Sequence, residues 1–224
     1  MNDLQLHVSS EVGAPDERGR VPVSITPAAV QVLVSWDSDQ QIKSLHEASH
    51  GVVSAVLLGA KSVKTLDIKN RYGGCSILDS EDDEQPSIVR ASAYLDLIVI
   101  AFAGREGEIL ILGEPTNGNA SDISEATKRA KAYFEAGMDV SALAMDCDYF
   151  SPIPAPLSEA LMSSMTETMT TARERARVLV AEHRDKIVAL ARIVYDARRL
   201  SDEALTAAFR EIGLDGDKPN ASAS

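Results

Sequence analysis

Two histidines stand four residues apart in the sequence, with a glutamate directly after the first, in the string His46-Glu47-Ala48-Ser49-His50. On a helix, residues four apart lie on one face and are separated by about 6 Å along the axis. Two such imidazoles can bind one Zn²⁺ ion, and the carboxylate of Glu47 can take a proton from a water on that metal. The pattern predicts a metal-dependent hydrolase with His46 and His50 as ligands and Glu47 as the catalytic base.

A five-residue string of this kind also occurs in ordinary helices, and a catalytic zinc generally has a third protein ligand beside an open position. The chain has four histidines in all. His183 lies on an apolar helical stripe, where a core histidine is the expected interpretation, and His7 lies in a polar N-terminal stretch. Spacing alone leaves five carboxylates open as the third ligand: Asp96, Glu106, Glu108, Glu114 and Asp122.

The paired histidines must be positioned by a helix, and local signals predict one from about residue 40 to 58. A capping residue precedes this segment, its apolar residues recur at helical spacing, and Gly59 follows the last of them. Residues 63–68 and 75–78 instead alternate around a glycine turn. They predict a small hairpin beside the helix.

Most of the remaining chain is predicted to be helical. The pair Thr26-Pro27 is typical of a helix start, and the apolar stripe from Met162 to Val194 has steps of three or four residues. The stripe fits either one helix or two helices with a bend near His183. The predicted helices cover residues 28–36, 87–112, 121–136, the stripe itself and a final segment over 200–213.

These elements predict a mainly α fold with a small β-sheet (α+β), in which a zincin-like metal helix is joined to a C-terminal helical bundle. We expect four segments along the chain. They are a flexible tail over 1–20, a metallopeptidase core with the H-E-x-x-H helix and small sheet over 21–150, a C-terminal helical region of the same domain over 151–213, and a disordered tail over 214–224.

The charge balance argues against some classes of partner. The 224 residues carry 22 Lys plus Arg and 34 Asp plus Glu, a net charge of -12, which disfavours nucleic acid and anionic membranes as partners. The longest apolar run, at 97–104, is too short for a membrane span, and no G-x-x-x-x-G-K-[ST] nucleotide-binding string occurs. Two cysteines are too few for a disulfide scaffold, so we expect a cytoplasmic protein.

Four ordered blocks of the sequence resemble the peptidase domain of the FtsH family of zinc metallopeptidases. They are HEASHGVVSAVLLGAKSVKTLDI, AFAGREGEILILGE, TNGNASDISEATKRAKAYFEAGM and TARERARVLVAEHRDKIVALARIV. The sequence departs from the family at Ser49, where the family commonly has glycine, and at Gly51, where it commonly has alanine. It also shows no counterpart of the membrane segments and ATPase that usually precede the family's peptidase domain.

The resemblance implies one Zn²⁺ per chain and a third ligand from the SDISEAT block. A capping box formed by Asp122 and Glu125 is the structural alternative for that block. The implied site consists of three metal ligands and a catalytic base: His46, His50, Asp122 and Glu47.

The segment Gly74, Cys75, Ser76 and Ile77 resembles the family's strand beside the site. The resemblance implies that its edge binds substrate as an added β-strand, and an ordinary core hairpin is the alternative. Cys75 is expected to be a small buried residue. Arg105 and Glu108 are expected to form a structural ion pair or to hydrogen-bond the end of their helix.

The expected function is that of a stand-alone, ATP-independent zinc endopeptidase acting on unfolded or flexible polypeptides. The alternative is a peptidase-like binding, adaptor or regulatory module that works with a separate ATPase or a homologous protease. A homo-oligomer and a separate ATPase partner are both left open. A site of two histidines and an aspartate also admits other divalent first-row metals.

Overall fold

The structure is a computed structural model that describes residues 6–8, 11–12, 23–24, 30–32, 38–69, 74–77, 89–139 and 155–215. The chain divides into two compact units, Met1–Asp37 and Ser38–Ser224. The domain boundaries that we predicted after residues 20 and 150 lie outside the described residues. Most of the predicted tail at 214–224 also lies outside them.

The first unit contains four short strands, β1 (Leu6–Val8), β2 (Glu11–Val12), β3 (Val23–Ser24) and β4 (Val30–Val32). β1 pairs antiparallel with β4, and β2 pairs antiparallel with β3. Two of these strands fall within the predicted flexible tail at 1–20, and the other residues of that tail lie outside the described part.

The helix predicted after Thr26-Pro27 is wrong at residues 30–32, which form β4. Val30 and Val32 are β-branched and flank Gln31, a pattern that suits a strand better than a helix. Val8 and Leu6 lie opposite them on β1. Pairing with a distant strand thus outweighs the local helix-start signal.

The second unit is helical with one small sheet, which confirms the predicted fold class. The strands are β5 (Val63–Asp67), β6 (Gly74–Ile77) and β7 (Arg199–Ser201). They form a sheet of order β6–β5–β7 in which both pairings are antiparallel. The helices are α1 (Asp39–Leu58), α2 (Ala91–Leu112), α3 (Ala120–Glu135), α4 (Ala155–Glu182), α5 (Arg184–Ala197) and α6 (Asp202–Glu211).

Helix α1 runs through the core and has well-defined ends. Its first turn is closed by a capping box, in which the Gln41 backbone N–H donates to the Ser38 hydroxyl and the Ser38 N–H donates to the Gln41 side chain. It ends at Gly59, whose φ of 91° favours glycine. Between these ends α1 packs against α2 and α5.

Helix α2 is largely apolar and packs against α1, α3 and α4. It approaches α1 through two glycines. A Cβ atom on Gly104 would lie 2.5 Å from His46 Cε1, and one on Gly107 would lie 2.1 Å from Ser49 Oγ. Side chains at either position would therefore push the two helices apart.

The sheet covers another side of α1. Leu66 on β5 is fully buried and contacts α1 at Gly51, and it lies opposite Cys75 on β6 and Leu200 on β7. Among the described residues β6 pairs only with β5, so β6 forms an edge of the sheet. β7 was not predicted, because a three-residue strand carries too little alternation to detect.

The apolar stripe of the C-terminal region forms two helices. α4 ends at Glu182, and α5 begins at Arg184 after His183, whose φ and ψ of -109° and 19° depart from helical values. The bend thus lies at the residue where the sequence allowed one. The buried members of the stripe include Met165, Ala172, Ala176, Ile187, Leu190 and Val194, whereas Met162 at its start is exposed.

Across the residues that the structure describes, every helix falls short of the length or the apolar character that a membrane span requires.

Candidate metal centre

The two histidines of α1 lie side by side on the helix face that packs against α2. His46 and His50 are buried, and their Nε2 atoms are 3.1 Å apart. Both rings fit against α2 because Gly104 carries no side chain at the point of contact. The predicted helical pairing of these imidazoles is therefore present in the structure.

Asp122 comes to the same point from the first turn of α3. Its Oδ2 atom lies 3.0 Å from His46 Nε2 and 3.5 Å from His50 Nε2. The capping-box alternative is wrong, because α3 starts at Ala120 with Asn119 as its N-cap and Glu125 pairs with Arg129. Asp122 is thus free to face the histidines.

The orientation of both imidazoles suits a metal. His50 Nδ1 donates a hydrogen bond to the Ile100 carbonyl at 2.8 Å, and His46 Nδ1 donates to Glu108 Oε1 at 2.8 Å. Each ring therefore presents its Nε2 atom to Asp122. A tetrahedral zinc with ligands at 2.0–2.1 Å needs about 3.3 Å between ligand atoms, and the observed separations of 3.0 to 3.5 Å fit that requirement.

Glu108 accepts the hydrogen bond from His46 Nδ1, on the side of the ring away from Asp122. It is almost fully buried on α2 and accepts hydrogen bonds from the Thr116 backbone N–H at 2.6 Å and from Asn119 Nδ2 at 2.7 Å, besides the one from His46. Burial works against ionisation, but these hydrogen bonds lower the pKa of Glu108 below its usual value. The carboxylate is thus a fixed negative charge behind a proposed ligand, an arrangement common at metal sites.

Sequence reasoning did not find this role for Glu108. The predicted ion pair between Arg105 and Glu108 is wrong, because Arg105 Nη1 lies 2.6 Å from Glu106 Oε1 instead. Residues 104, 107 and 108 share one face of α2, and the two glycines on that face are the signal that could have indicated close approach to α1.

The other candidate carboxylates and the other two described histidines are not part of this cluster. Asp96 pairs with Arg175 at 2.6 Å, Glu106 pairs with Arg105, and Glu114 is exposed. His183 lies at the junction of α4 and α5, and His7 belongs to β1 of the first unit. Within the described part of the chain, the one cluster of three or more such residues that could hold a metal ion is His46, His50 and Asp122.

The charges at the centre are strongly coupled. Burial lowers the pKa of His46, but hydrogen bonds with Asp122 and Glu108 outweigh it and raise that pKa to about 10. For Asp122, burial is outweighed by the hydrogen bonds with His46 and His50, which hold its pKa well below the usual range. Without a metal, the pair is therefore a protonated imidazole facing a carboxylate.

Glu47 lies beside the ligand cluster. Only 3% of its surface is exposed, and burial raises its pKa, although the neighbouring His50 and His46 act in the opposite direction. A carboxylate with a raised pKa binds a proton more readily than an ordinary one, so Glu47 is suited to accept a proton and pass it on.

A cleft of about 800 Å³ opens beside the cluster. Its lining includes His46, Glu47 and Glu108, residues from the first turns of α1, and residues from the segment after α2 and the start of α3. The residues of these last two groups are Asp39, Ile42 and Lys43 on α1 and Thr116, Asn117, Gly118, Ala120 and Ser121 after α2.

The predicted substrate-binding residues lie on β6. Gly74 and Ser76 are exposed, whereas Cys75 and Ile77 are half-buried. Burial raises the pKa of the Cys75 thiol well above its usual value, and the charges of Glu47 and Asp122 add to that effect. Cys75 therefore lies close enough to the metal centre to sense its charges, and its thiol stays neutral.

The sequence matches the family model described as Peptidase family M41 over residues 33–207. The relative "ATP-dependent zinc metalloprotease FtsH 1" of Thermoanaerobacter sp. (strain X514) is 24% identical, over 96% of this chain and 36% of its own length. "ATP-dependent zinc metalloprotease FtsH 3" of Sphaerobacter thermophilus is 26% identical, over 76% of this chain and 35% of its own length.

A third relative, "ATP-dependent zinc metalloprotease FtsH" of Lancefieldella parvula, is 32% identical over 50% of this chain and 18% of its own length. The chain thus spans between 18% and 36% of the length of these three curated relatives.

Proposed function

The chain belongs to peptidase family M41 and is a zinc metallopeptidase domain, and from that premise we propose that it hydrolyses peptide bonds in unfolded or flexible polypeptides. The observation that carries the proposal is the convergence of His46, His50 and Asp122 at the edge of a cleft that Glu47 also lines. This set combines a metal site with a carboxylate placed for proton transfer.

In the proposed reaction, His46, His50 and Asp122 would hold the zinc ion. Bound zinc supplies a positive charge that polarises a carbonyl and lowers the pKa of a water molecule. Beside it, Glu47 would act as the base that takes a proton from the attacking water and returns it to the leaving amine. Glu108 and the Ile100 carbonyl keep the two imidazoles oriented throughout.

We propose that the substrate binds along the edge of β6, at Gly74, Cys75, Ser76 and Ile77. The support is the position of β6 at the edge of the described sheet and its packing against α1, the helix that carries His46 and Glu47. An added strand is held through backbone hydrogen bonds, which place little demand on the substrate sequence. Flexible segments are suited to this mode because they can become extended.

We further propose that this chain works without ATP hydrolysis of its own and in a cytoplasmic setting. The 224 residues contain no G-x-x-x-x-G-K-[ST] string, and their two cysteines fit a reducing environment. The relatives named above are ATP-dependent by name. The alternative is that a separate ATPase partner unfolds substrates for this chain.

The test is cleavage of fluorescently labelled casein by zinc-reconstituted protein, beside a Glu47→Gln variant. We expect the wild type to cleave casein and the variant to lose cleavage while binding the same amount of zinc. Equal cleavage by both proteins would contradict the role of Glu47. Zinc binding without cleavage by either protein would favour the peptide-binding or regulatory module.

A further inference from the structure

We propose that Lys43 binds a carboxylate of the substrate and thereby gives the cleft a preference among polypeptides. The inference rests on the proposed function, since it concerns the substrate of the same site. It names the recognised chemistry, a carboxylate, which a peptide can supply from an Asp or Glu side chain or from its C-terminal end.

Lys43 has the position that such a role requires. It lines the same cleft as His46 and Glu47 and lies three and four residues before them on α1. Residues at these spacings share one face of a helix. An extended peptide advances about 3.3 Å per residue, so a substrate bound across the site passes Lys43 within about three residues of the cleaved bond.

The charges around Lys43 leave it available. Within the described lining of the cleft it is the one lysine or arginine, and the acidic groups are Asp39, Glu47 and Glu108. Glu108 is already bonded to His46, Thr116 and Asn119. Asp39 lies one turn before Lys43, yet no ion pair or hydrogen bond joins Lys43 to any residue that the structure describes.

Lys43 is half-buried, and its lack of a charged partner among the described residues therefore needs an explanation. A lysine that loses contact with water generally gains a partner in return. Here the partner is absent from the described walls of the cleft, while the cleft itself has room for a peptide. A carboxylate on the substrate would supply the missing charge.

The net charge of -12 acts against acidic substrates only at long range. Charges separated by more than about 8–10 Å are screened at ordinary salt, whereas a substrate carboxylate at Lys43 would be in contact. A partly exposed ion pair of this kind corresponds to a preference of about threefold to fivefold.

The experiment uses internally quenched peptides that differ only by Glu or Gln at one position within three residues of the cleaved bond. A second pair ends in a free carboxylate or an amide. Each peptide is tested with zinc-loaded wild type, Lys43→Gln and Lys43→Glu. Lys128→Gln is the matched control, because Lys128 is exposed on α3 and does not line the cleft.

We expect the wild type and Lys128→Gln to prefer the carboxylate peptide about threefold to fivefold, mainly through KM. The preference should vanish in Lys43→Gln and reverse in Lys43→Glu. A preference confined to the C-terminal pair would identify the chain end as the source of the carboxylate. The same order of affinities is expected when the peptides bind zinc-loaded Glu47→Gln, measured by fluorescence anisotropy.

Cleavage of all peptides with equal kcat/KM by wild type and Lys43→Gln would overturn the role of Lys43 and leave the proposed function intact. Cleavage of none of them would instead overturn the proposed function. In that case the anisotropy measurement decides the inference by itself, because equal binding of Glu and Gln peptides would contradict it.

Discussion

At the scale of single residues, the centre depends on His46 more than on any other side chain. Its Nε2 atom faces Asp122 and its Nδ1 atom faces Glu108, so one buried ring lies between two carboxylates. His50 has a neutral carbonyl behind it instead. The two proposed ligands therefore differ in the group that accepts from Nδ1, a carboxylate for His46 and a backbone carbonyl for His50.

The first prediction concerns Glu108. Replacing it with glutamine removes the charge behind His46 and is expected to weaken zinc affinity about tenfold or more. The measurement is competition for zinc with a chelator of known affinity. Glu106→Gln is the control, because Glu106 is equally buried on α2 but pairs with Arg105. Equal zinc affinity in wild type and Glu108→Gln would show that the hydrogen bond does not support the site.

The second prediction concerns pH. In the metal-free protein the pKa of His46 is raised from 6.5 to about 10. The stability that the charged pair with Asp122 contributes is therefore full below pH 6.5 and is lost as the pH rises through about 10. Zinc must displace the same proton, so its affinity should rise about tenfold per pH unit between pH 7 and 9.

Isothermal titration of zinc in buffers of different ionisation enthalpy measures that displaced proton directly. We expect about one proton from His46 to be released per zinc at pH 8. Zinc affinity that is flat between pH 7 and 9, with no proton release, would mean that His46 is neutral before the metal binds.

At the scale of elements, the separation of α1 and α2 sets the geometry of the centre. Ser49 on α1 faces Gly107 on α2, and its hydroxyl donates to the Leu45 carbonyl at 2.8 Å. The relatives' family commonly has glycine where this chain has Ser49. The larger residue on α1 is therefore matched by the absence of a side chain on α2.

The third prediction follows from this match. Gly107→Ala would place a Cβ atom 2.9 Å from Ser49 Cβ, and we expect it to destabilise the protein by about 1–3 kcal/mol. Ser49→Gly alone should cost about 0.5 kcal/mol through helix propensity. The double variant should be no less stable than Ser49→Gly, since the clash is gone.

Urea unfolding of the four proteins at one zinc concentration gives the coupling between the two positions. A double variant whose loss equals the sum of the two single losses would mean that Ser49 and Gly107 do not interact.

The elements themselves were largely predictable from local signals. Ser38 and Gly59 bound α1, as the capping residue and the glycine around residues 40–58 indicated, and α2 lies within the helix predicted over 87–112 and ends before Gly113, whose φ is 89°. β4 was not predicted, because its pairing with β1 is a contact between distant segments. The hydrogen bond between His46 and Glu108 joins residues 62 positions apart. Helical and strand spacing predict only contacts between residues close in sequence, so this bond could not be predicted.

The third proposed ligand shows the same limit. From spacing, Asp122 was one of five carboxylates, and only the family resemblance distinguished it. The structure brings it to the histidines through the fold of α3 against α2. Local pattern thus located the chemistry on α1, while the rest of the centre depends on tertiary packing.

At the scale of the whole molecule, every residue of the centre lies in the unit Ser38–Ser224. The family match covers most of that unit, whereas the full-length relatives are much longer than this chain. The parts of those relatives beyond the match have no counterpart among the described residues. Their ATP dependence is therefore a property to be tested for this chain.

The enclosure of α2 affects how sequence variation in this protein should be interpreted. Of its 22 residues, only Ser92 and Leu110 are exposed, and it touches three other helices. Almost any substitution there disturbs packing and lowers stability. A library selected for soluble expression alone would already lose variants along α2, so mutational intolerance in this helix says little about catalysis. Intolerance at exposed positions such as Lys128 would be far more informative.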